Sequence, residues 1–160
     1  MFSKILVPLD GSEFAEQALV HAGALARCFG ATVALTEVVD RIDQTVFVSP
    51  PVEYDGAHFN PTWSAEQRTA VLTNPLAARA EEYLAAVARR LRETGLNVEH
   101  EVLEGPTAET LLRHLEVIGA GIVVMSTHGR GGLARALIGS VADRVSRHAH
   151  VPVLLVRPPE

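Results

Sequence analysis

The chain has 160 residues, of which 48% are hydrophobic and 21% charged, and its formal net charge is −5. This composition is typical of an ordinary globular protein, and we expect residues 1–160 to form one domain. The acidic balance argues against general nucleic-acid binding, and the single cysteine, Cys28, excludes both an intrachain disulfide and a cysteine-based metal cage.

The N-terminal part of the chain predicts a strand, a helix and a second strand. Ile5–Leu9 is a short apolar run of the kind found in parallel strands that are covered on both faces. Over residues 15–29, apolar side chains recur at three- and four-residue steps, which predicts a helix with Ser12 as N-cap and Gly30 at its end. Thr32–Val39 is a second apolar run and predicts the next strand.

The segment Asp40–Asn74 breaks this alternation. Its proline and glycine residues interrupt any regular pattern, although Ser64–Leu72 is compatible with a helix. A connection of this length in a compact domain is usually functional or mobile. A lid, an oligomer contact and a loosely packed flap all remain open as interpretations.

Three more strands and three more helices are predicted after this segment. The strands are Leu96–Leu103, Ile122–Ser126 and Val153–Val156, and the helices lie over residues 76–91, 108–115 and 140–148. Pro75 favours the start of the first of these helices, and Thr107 and Ser140 are the expected N-caps of the other two. The alternation of strands and helices predicts an α/β fold, a single open five-stranded parallel sheet with helices on both faces.

Ligands of open parallel sheets bind beyond the carboxyl ends of the strands, where the connections leave in opposite directions. The segments that end strands in this way are Pro8–Ser12, Val38–Asp40 and Met125–Ser140. Asp10 could accept a hydrogen bond from a ribose hydroxyl, or it could help to cap the first helix. Val38 could offer its backbone groups to the edge of an adenine, or its side chain could simply form a wall.

The segment STHGRGGLARALIGSVADRV, which follows the fourth strand, is rich in glycine. Glycines allow backbone amides to approach an anion, and the start of a helix favours negative charge. His128 to Arg157 also contains five arginines against one acid, Asp143. The alternatives are that the glycines only permit turns and that the arginines are solvated.

Other familiar motifs are missing from the sequence. There is no GxxxxGK[ST] of a P-loop, and the relaxed GxGxxA that begins at Gly129 does not follow the first strand. None of the seven histidines belongs to an HExxH pattern, and no GxSxG occurs. We therefore predict no catalytic residue and no protein-bound metal, and His128, beside the glycines, is the histidine of most interest.

Taken together, KILVPLDGSEFAEQAL, LTEVVD and VVMSTHGRGGLARALIGSVADRVSRHAHVPVLLVRP resemble universal stress proteins. The closing block is similar to GxxGx9G[ST], the nucleotide-binding signature of the ATP-binding branch. Gly129 matches its second glycine and Gly139-Ser140 its end, whereas Ser126 stands in place of its first glycine. The resemblance implies a Rossmann-like, adenine nucleotide alpha hydrolase-like sheet with strand order 3-2-1-4-5.

The same resemblance implies a site for ATP, ADP or AMP, with Mg²⁺. Asp10 would contact ribose or adenine, Val38 would pair with adenine through its backbone, and Met125 and Val141 would flank the phosphates. The residues expected at the site are Pro8, Leu9, Asp10, Val38, Met125, Ser126, His128, Gly129, Arg130, Gly139, Ser140 and Val141. The expected protein is a nucleotide-responsive stress regulator, and the alternatives are a nucleotide-free protein that works through protein contacts and a slow ATP hydrolase.

The resemblance also implies a homodimer formed through the last strand, Val153–Val156. An apolar edge strand is an aggregation hazard that two-fold pairing removes, so the sequence agrees with this implication. The longest apolar run, Val117–Met125, is about half of what a membrane-spanning helix needs. The apolar residues near the N-terminus are too few for a signal peptide, and we expect a cytoplasmic protein with no membrane partner.

Overall fold

The structure is a computed structural model that describes residues 2–41, 74–128 and 138–157, and the backbone of two short strands between the first two ranges. Its elements are β1 (Lys4–Leu9), α1 (Glu13–Phe29), β2 (Thr32–Val39), β3 (Val52–Tyr54), β4 (Phe59–Pro61), α2 (Pro75–Glu93), β5 (Val98–Glu104), α3 (Thr107–Val117), β6 (Ile122–Ser126), α4 (Ser140–His148) and β7 (Val153–Val156).

Five strands form one sheet in the order β5-β2-β1-β6-β7, and every neighbouring pair is parallel. Numbered among themselves, these strands have the order 3-2-1-4-5, which confirms the predicted fold and topology. The chain moves outward from β1 to β2 and β5, and then returns to place β6 on the other side of β1. The carboxyl ends of β1 and β6 therefore form the switch point at which such sheets bind ligands.

Two apolar clusters cover the two faces of the sheet. Successive strand residues point to opposite faces, so Ile5 and Val7 of β1 join Leu84 of α2 in one cluster. Leu6, between them, joins Leu111 of α3 in the other cluster. This double coverage explains why the sequence shows continuous apolar runs in place of strict alternation.

The ends of α1 are formed as the sequence predicts. Ser12 has an extended backbone and its Oγ accepts a hydrogen bond from the Ala15 amide at 3.1 Å. At the other end, Gly30 takes the left-handed conformation, with φ of 64°, and its amide donates to the Ala26 carbonyl. Both features satisfy backbone groups that a helix terminus leaves without partners.

The predicted N-caps Thr107 and Ser140 are wrong by one residue. Each is the first residue of its helix, and the caps are Pro106 and Gly139, neither of which makes a side-chain cap hydrogen bond. The reason is that the extended backbones at Pro106 and Gly139 already accept the first intrahelical bonds, from the amides of residues 110 and 143. The sequence rule favours hydroxyl side chains at a cap, and here backbone geometry overrides it.

The segment Asp40–Asn74 contains a structure that its sequence did not predict. β3 and β4 pair antiparallel, with Val52 opposite Pro61. Proline is tolerated at this position because each strand of a two-stranded sheet is an edge strand. The helix considered for Ser64–Leu72 lies outside the described residues.

Asn74 fixes the return of the chain to the sheet. Its Oδ1 accepts from the Leu76 amide at 3.0 Å and so caps α2, which has Pro75 in its first turn as predicted. Its Nδ2 donates to the Asp40 carbonyl at 3.0 Å and to Glu104 Oε1 at 2.9 Å. One amide side chain thus ties the start of α2 to the carboxyl ends of β2 and β5. Among the helices described, none is long and apolar enough to cross a bilayer.

One histidine of α3 is buried. His114 is 7% exposed, and its Nε2 lies 3.8 Å from Glu101 Oε2 on β5. Burial lowers the pKa of His114, the negative charge of Glu101 opposes that effect, and the positive charge of Lys4 on β1 lowers the pKa further. The folded chain therefore holds this imidazole in its neutral form more strongly than the unfolded chain does.

This shift predicts a pH dependence of stability. Above the ordinary histidine pKa of 6.5, His114 is neutral in both states and its burial costs no protonation energy. As the pH falls below that value the unfolded state takes up a proton that the folded state resists, so the free energy of unfolding decreases. Urea unfolding of His114→Gln between pH 7.5 and 5.5 should show a shallower loss of stability than the unsubstituted protein, whereas His21→Gln, at an exposed position, should not. An equal slope in all three proteins would contradict this prediction.

Candidate functional site

A cavity of about 470 Å³ opens at the carboxyl ends of β1 and β2. It is lined by Asp10, Gly11, Glu37, Val38, Val39, Asp40, Leu76, Arg79, Ala80, Tyr83 and Thr107. The volume lies within the range of about 300–1,000 Å³ that is usual for small-molecule sites. The cavity lies at the edge of the sheet that the sequence indicated, and it contains two predicted residues, Asp10 and Val38.

The turn after β1 places Asp10 in the cavity wall. Its Oδ1 accepts hydrogen bonds from the Ser12 amide at 3.0 Å and from the Ser12 hydroxyl at 2.6 Å. Gly11, between them, has φ of 77°, a conformation that residues with a Cβ rarely adopt. Asp10 thus supports the cap of α1 and lines the cavity as well, so the two roles considered for it are compatible.

Glu37 was not predicted as a site residue. It is 4% exposed and lines the cavity, directly before Val38 and level with Leu9 of the neighbouring strand. A signal was present, because Glu37 is the one charged residue in the otherwise uncharged run TVALTEVV. A carboxyl group placed in a buried strand is costly unless it is hydrogen-bonded or serves a function.

Tyr83 was also missed, because its spacing in α2 only indicated a residue of the apolar stripe. Its hydroxyl donates to Glu16 Oε1 at 3.1 Å, and Arg90 contacts the other carboxyl oxygen of Glu16 at 2.6 Å. The pKa of Tyr83 is raised by burial first, then by the charge and hydrogen bond of Glu16, and then by the charges of Glu37 and Asp10. The cavity therefore has a neutral phenol among acidic groups.

A second group of predicted residues lies at the end of β6. Ser126 is buried, and its Oγ accepts from the His128 amide at 3.2 Å. The Thr127 hydroxyl lies 2.9 Å from His128 Nδ1. The Thr127 carbonyl accepts from the Gly139 amide at 2.8 Å, and this bond holds the start of α4 against the end of β6. The Thr127 amide donates to the Val156 carbonyl of β7 at 2.8 Å.

Gly139 leaves little room for a side chain. A Cβ built on it would lie 3.2 Å from the Thr127 carbonyl oxygen, and its φ of −58° is ordinary, so the requirement is for space rather than for an unusual conformation. Gly139, the N-cap of α4, has no side chain that could accept from the first amides of the helix. A helix start of this kind can bind an anion.

The arginines of α4 form surface ion pairs. Arg144 lies 2.7 Å from Glu109, and Arg147 lies 2.8 Å from Asp143. The solvated alternative considered for these two residues thus agrees with the structure. Arg130, the arginine predicted at the site, lies outside the described residues, as does Gly129.

The structure brings the predicted residues together in two neighbouring groups. Asp10 and Val38 share the cavity, and Pro8 and Leu9 lead into it, although the Leu9 side chain belongs to the core. The second group, at the β6–α4 junction, contains Met125, Ser126, His128, Gly139, Ser140 and Val141. β1 and β6 are adjacent in the sheet, so the two groups lie along the same edge.

An open, doubly wound parallel sheet with a cavity and a helix start at its carboxyl edge defines a class of α/β ligand-binding proteins. Within that class, the model of the universal stress protein family matches residues 1–157. The chain therefore belongs to the universal stress protein family.

Individual relatives agree with this assignment. Universal stress protein MJ0531 of Methanocaldococcus jannaschii is 34% identical over 160 residues, which cover 100% of this chain and 85% of the relative. The solved structure of MJ0577 from the same organism superposes with a TM-score of 0.77 at 28% identity, covering 100% of this chain and 99% of the other. A universal stress protein from Archaeoglobus fulgidus in complex with dAMP shares the fold, with a TM-score of 0.60 at 19% identity and 97% of both chains covered.

Proposed function

We propose that this protein binds an adenine nucleotide, ATP, ADP or AMP, at the carboxyl edge of the sheet and acts as a nucleotide-responsive stress regulator. The observation that carries the proposal is that Asp10 and Val38, the residues assigned to the nucleoside by the family resemblance, line one cavity of about 470 Å³. That the same fold holds dAMP in the Archaeoglobus fulgidus protein supports an adenine nucleotide.

The distribution of charge favours one orientation of the bound nucleotide. Asp10, Glu37 and Asp40 line the cavity together with Arg79, so its wall has more acidic than basic side chains. This wall repels phosphate and suits the base and the ribose, whose hydroxyls can donate to carboxylates. The phosphates then extend toward Gly139 and Ser140, where the first amides of α4 and the helix dipole favour negative charge.

Magnesium would reach this site with the nucleotide. In the parts of the chain that the structure describes, no group of three or more His, Cys, Asp or Glu could hold a metal ion. Mg²⁺ commonly binds through substrate phosphates and water with few protein ligands, so MgATP is compatible with this site. A regulator that holds its nucleotide without rapid turnover needs no further protein ligands for the metal.

The direct test is a calorimetric titration of the purified protein with MgATP, with mass spectrometry of any nucleotide that co-purifies. We expect a dissociation constant in about the micromolar range. Turnover should stay below about one event per minute, against roughly 1–10³ per second for ordinary enzymes. No binding heat and no bound nucleotide would favour a protein that works through protein contacts alone, and faster turnover would favour an ATP hydrolase.

Ser126 is expected to have little effect on the nucleotide. Its Oγ accepts from the His128 amide, and the side chain is buried, so the hydroxyl stabilises the turn and does not occupy the path of the phosphates. Ser126→Gly should change the dissociation constant for MgATP by less than about threefold, or roughly 0.7 kcal/mol. A tighter complex by tenfold or more in the same titration would show that the side chain obstructs the site.

A further inference from the structure

Helix α2 begins at the carboxyl edge of the sheet and forms one side of the cavity. Asn74, which caps the helix, donates to the Asp40 carbonyl and to Glu104, so the first turn of α2 is held beside the ends of β2 and β5. The residues of α2 that line the cavity are Leu76, Arg79, Ala80 and Tyr83. Their spacing of three and four residues places them on one face of the helix. None of the residues that the family resemblance assigns to the site lies on α2.

The cavity extends across the sheet edge between helices that cover opposite faces of the sheet. α2 packs on one face through Leu84, whereas Thr107, which also lines the cavity, begins α3 on the other face. Val38, at the end of β2, lies between the two helices, and the peptide N–H and C=O groups of a strand lie close to the plane of its sheet. A base that pairs with the Val38 backbone therefore continues this plane, with one of its faces toward α2.

Leu76 is the exposed apolar residue of this wall. It lies in the first turn of α2 and is 46% exposed, whereas Ala80, one turn further on, is 3% exposed. Arg79, between them in the chain, carries a planar guanidinium of the kind that stacks on aromatic faces. Tyr83 is anchored through its hydroxyl to Glu16. The wall thus combines a fixed part with one leucine that a flat ligand can cover.

We propose that Leu76 packs against the face of the adenine, so that α2 forms one wall of the base site. This inference depends on the proposed nucleotide binding. Covering an exposed leucine with an aromatic ring removes apolar surface from water and so contributes to affinity. A guanidinium also attracts phosphate, but the acids Asp10 and Asp40 line the same cavity as Arg79, and a leucine gains nothing from an anion. The base is therefore the part of the nucleotide that suits this wall.

The experiment titrates Leu76→Ala with AMP, ADP and ATP, each with Mg²⁺. We expect all three to bind about fivefold more weakly than to the unsubstituted protein, because they carry the same base and the lost contact is confined to it. Leu76→Met restores an apolar side chain of similar size and should bind all three within about twofold of the unsubstituted protein. Val117→Ala is the matched control, because Val117 is 77% exposed at the far end of α3 and should leave the three affinities unchanged.

The pattern across the three nucleotides decides the result. A loss that grew from AMP to ATP would place the phosphates against α2, and unchanged affinities would remove the base from this wall. Either outcome would overturn the role of Leu76 and leave nucleotide binding intact. If the unsubstituted protein bound no adenine nucleotide, both proposals would fail.

Methyl NMR tests the contact in the unsubstituted protein and does not depend on the folding of Leu76→Ala. Methyl groups above the face of an aromatic ring are shifted upfield. The Leu76 methyl signals, identified by their absence from the spectrum of Leu76→Met, should therefore move upfield when AMP is added and stay in place when inorganic triphosphate is added. Signals that did not respond to AMP, or that moved equally with both ligands, would contradict the contact.

Discussion

Replacing Gly139 with aspartate is expected to weaken MgATP binding by about 100-fold or more. Two unit charges about 5 Å apart repel by roughly 3 kcal/mol at an effective dielectric constant of about 20, which corresponds to that factor. Gly139 precedes the first residue of α4, where the proposed phosphates meet the helix start. A carboxylate there would occupy the same amides that the phosphates need. Isothermal titration of the variant with MgATP measures the effect.

Gly139→Ala separates charge from crowding. Alanine brings the same Cβ, which would lie 3.2 Å from the Thr127 carbonyl oxygen, but no charge. We expect it to bind MgATP within about tenfold of the unsubstituted protein, because a shift of a few tenths of an ångström relieves the contact. Equal loss in the two variants would assign the effect to packing, and a folded Gly139→Asp protein with unchanged affinity would place the nucleotide elsewhere.

The sheet could be predicted from the sequence because its strands carry two independent signals. Runs such as Ile5–Leu9 are apolar without alternation, which indicates burial on both faces, and helices with a clear apolar stripe separate them. The structure confirms the parallel order, with one cluster around Leu84 and another around Leu111. These patterns arise from burial alone, so they can be recognised in the sequence without knowledge of any contact.

Helix starts and the pairing of β3 with β4 were harder to predict, since they depend on local backbone geometry. Pro106 and Gly139 cap their helices by backbone conformation, whereas the sequence rule pointed to the next residue in each case. The pairing of β3 with β4 occurs among prolines and a glycine that indicated no regular structure. In each place the bounds of the element depend on contacts between backbone groups, and residue types in the sequence indicate such contacts only poorly.

The candidate site was predictable only in part for a related reason. Asp10 follows β1 and Val38 lies near the end of β2, so the rule that ligands bind at the carboxyl ends of the strands located them, and the structure places both in one cavity. Glu37 and Tyr83 belong to regular elements whose periodicity concealed them. Their part in the cavity wall depends on how α2 packs over β2, which is tertiary information. The sequence signal for Glu37 is a charged residue within an apolar strand.

A homodimer formed through β7, which the family resemblance implies, predicts a strong effect of a charge on that strand. This strand ends the described sheet, and Leu154 on it is 38% exposed. The carbonyls of Pro152 and Val156 accept from the amides of Val123 in β6 and of Thr127 just after it. By alternation, the peptide groups of Val153 and Leu155 therefore face outward. Two copies related by a two-fold axis can pair these groups and bury Leu154 against its counterpart.

Leu154→Lys should therefore convert the dimer to a monomer at micromolar protein concentration, measured by light scattering after size-exclusion chromatography. A two-fold interface carries the substitution twice, and lysine on an edge strand opposes edge-to-edge pairing, so a loss of about 2 kcal/mol or more is expected, roughly 30-fold in the dimer dissociation constant. Val20→Lys is the control, because Val20 is 74% exposed on α1 and should leave the dimer intact. If the protein with Leu154→Lys remained dimeric and folded, the interface would have to lie on another surface, and the exposure of Leu154 would need a different explanation.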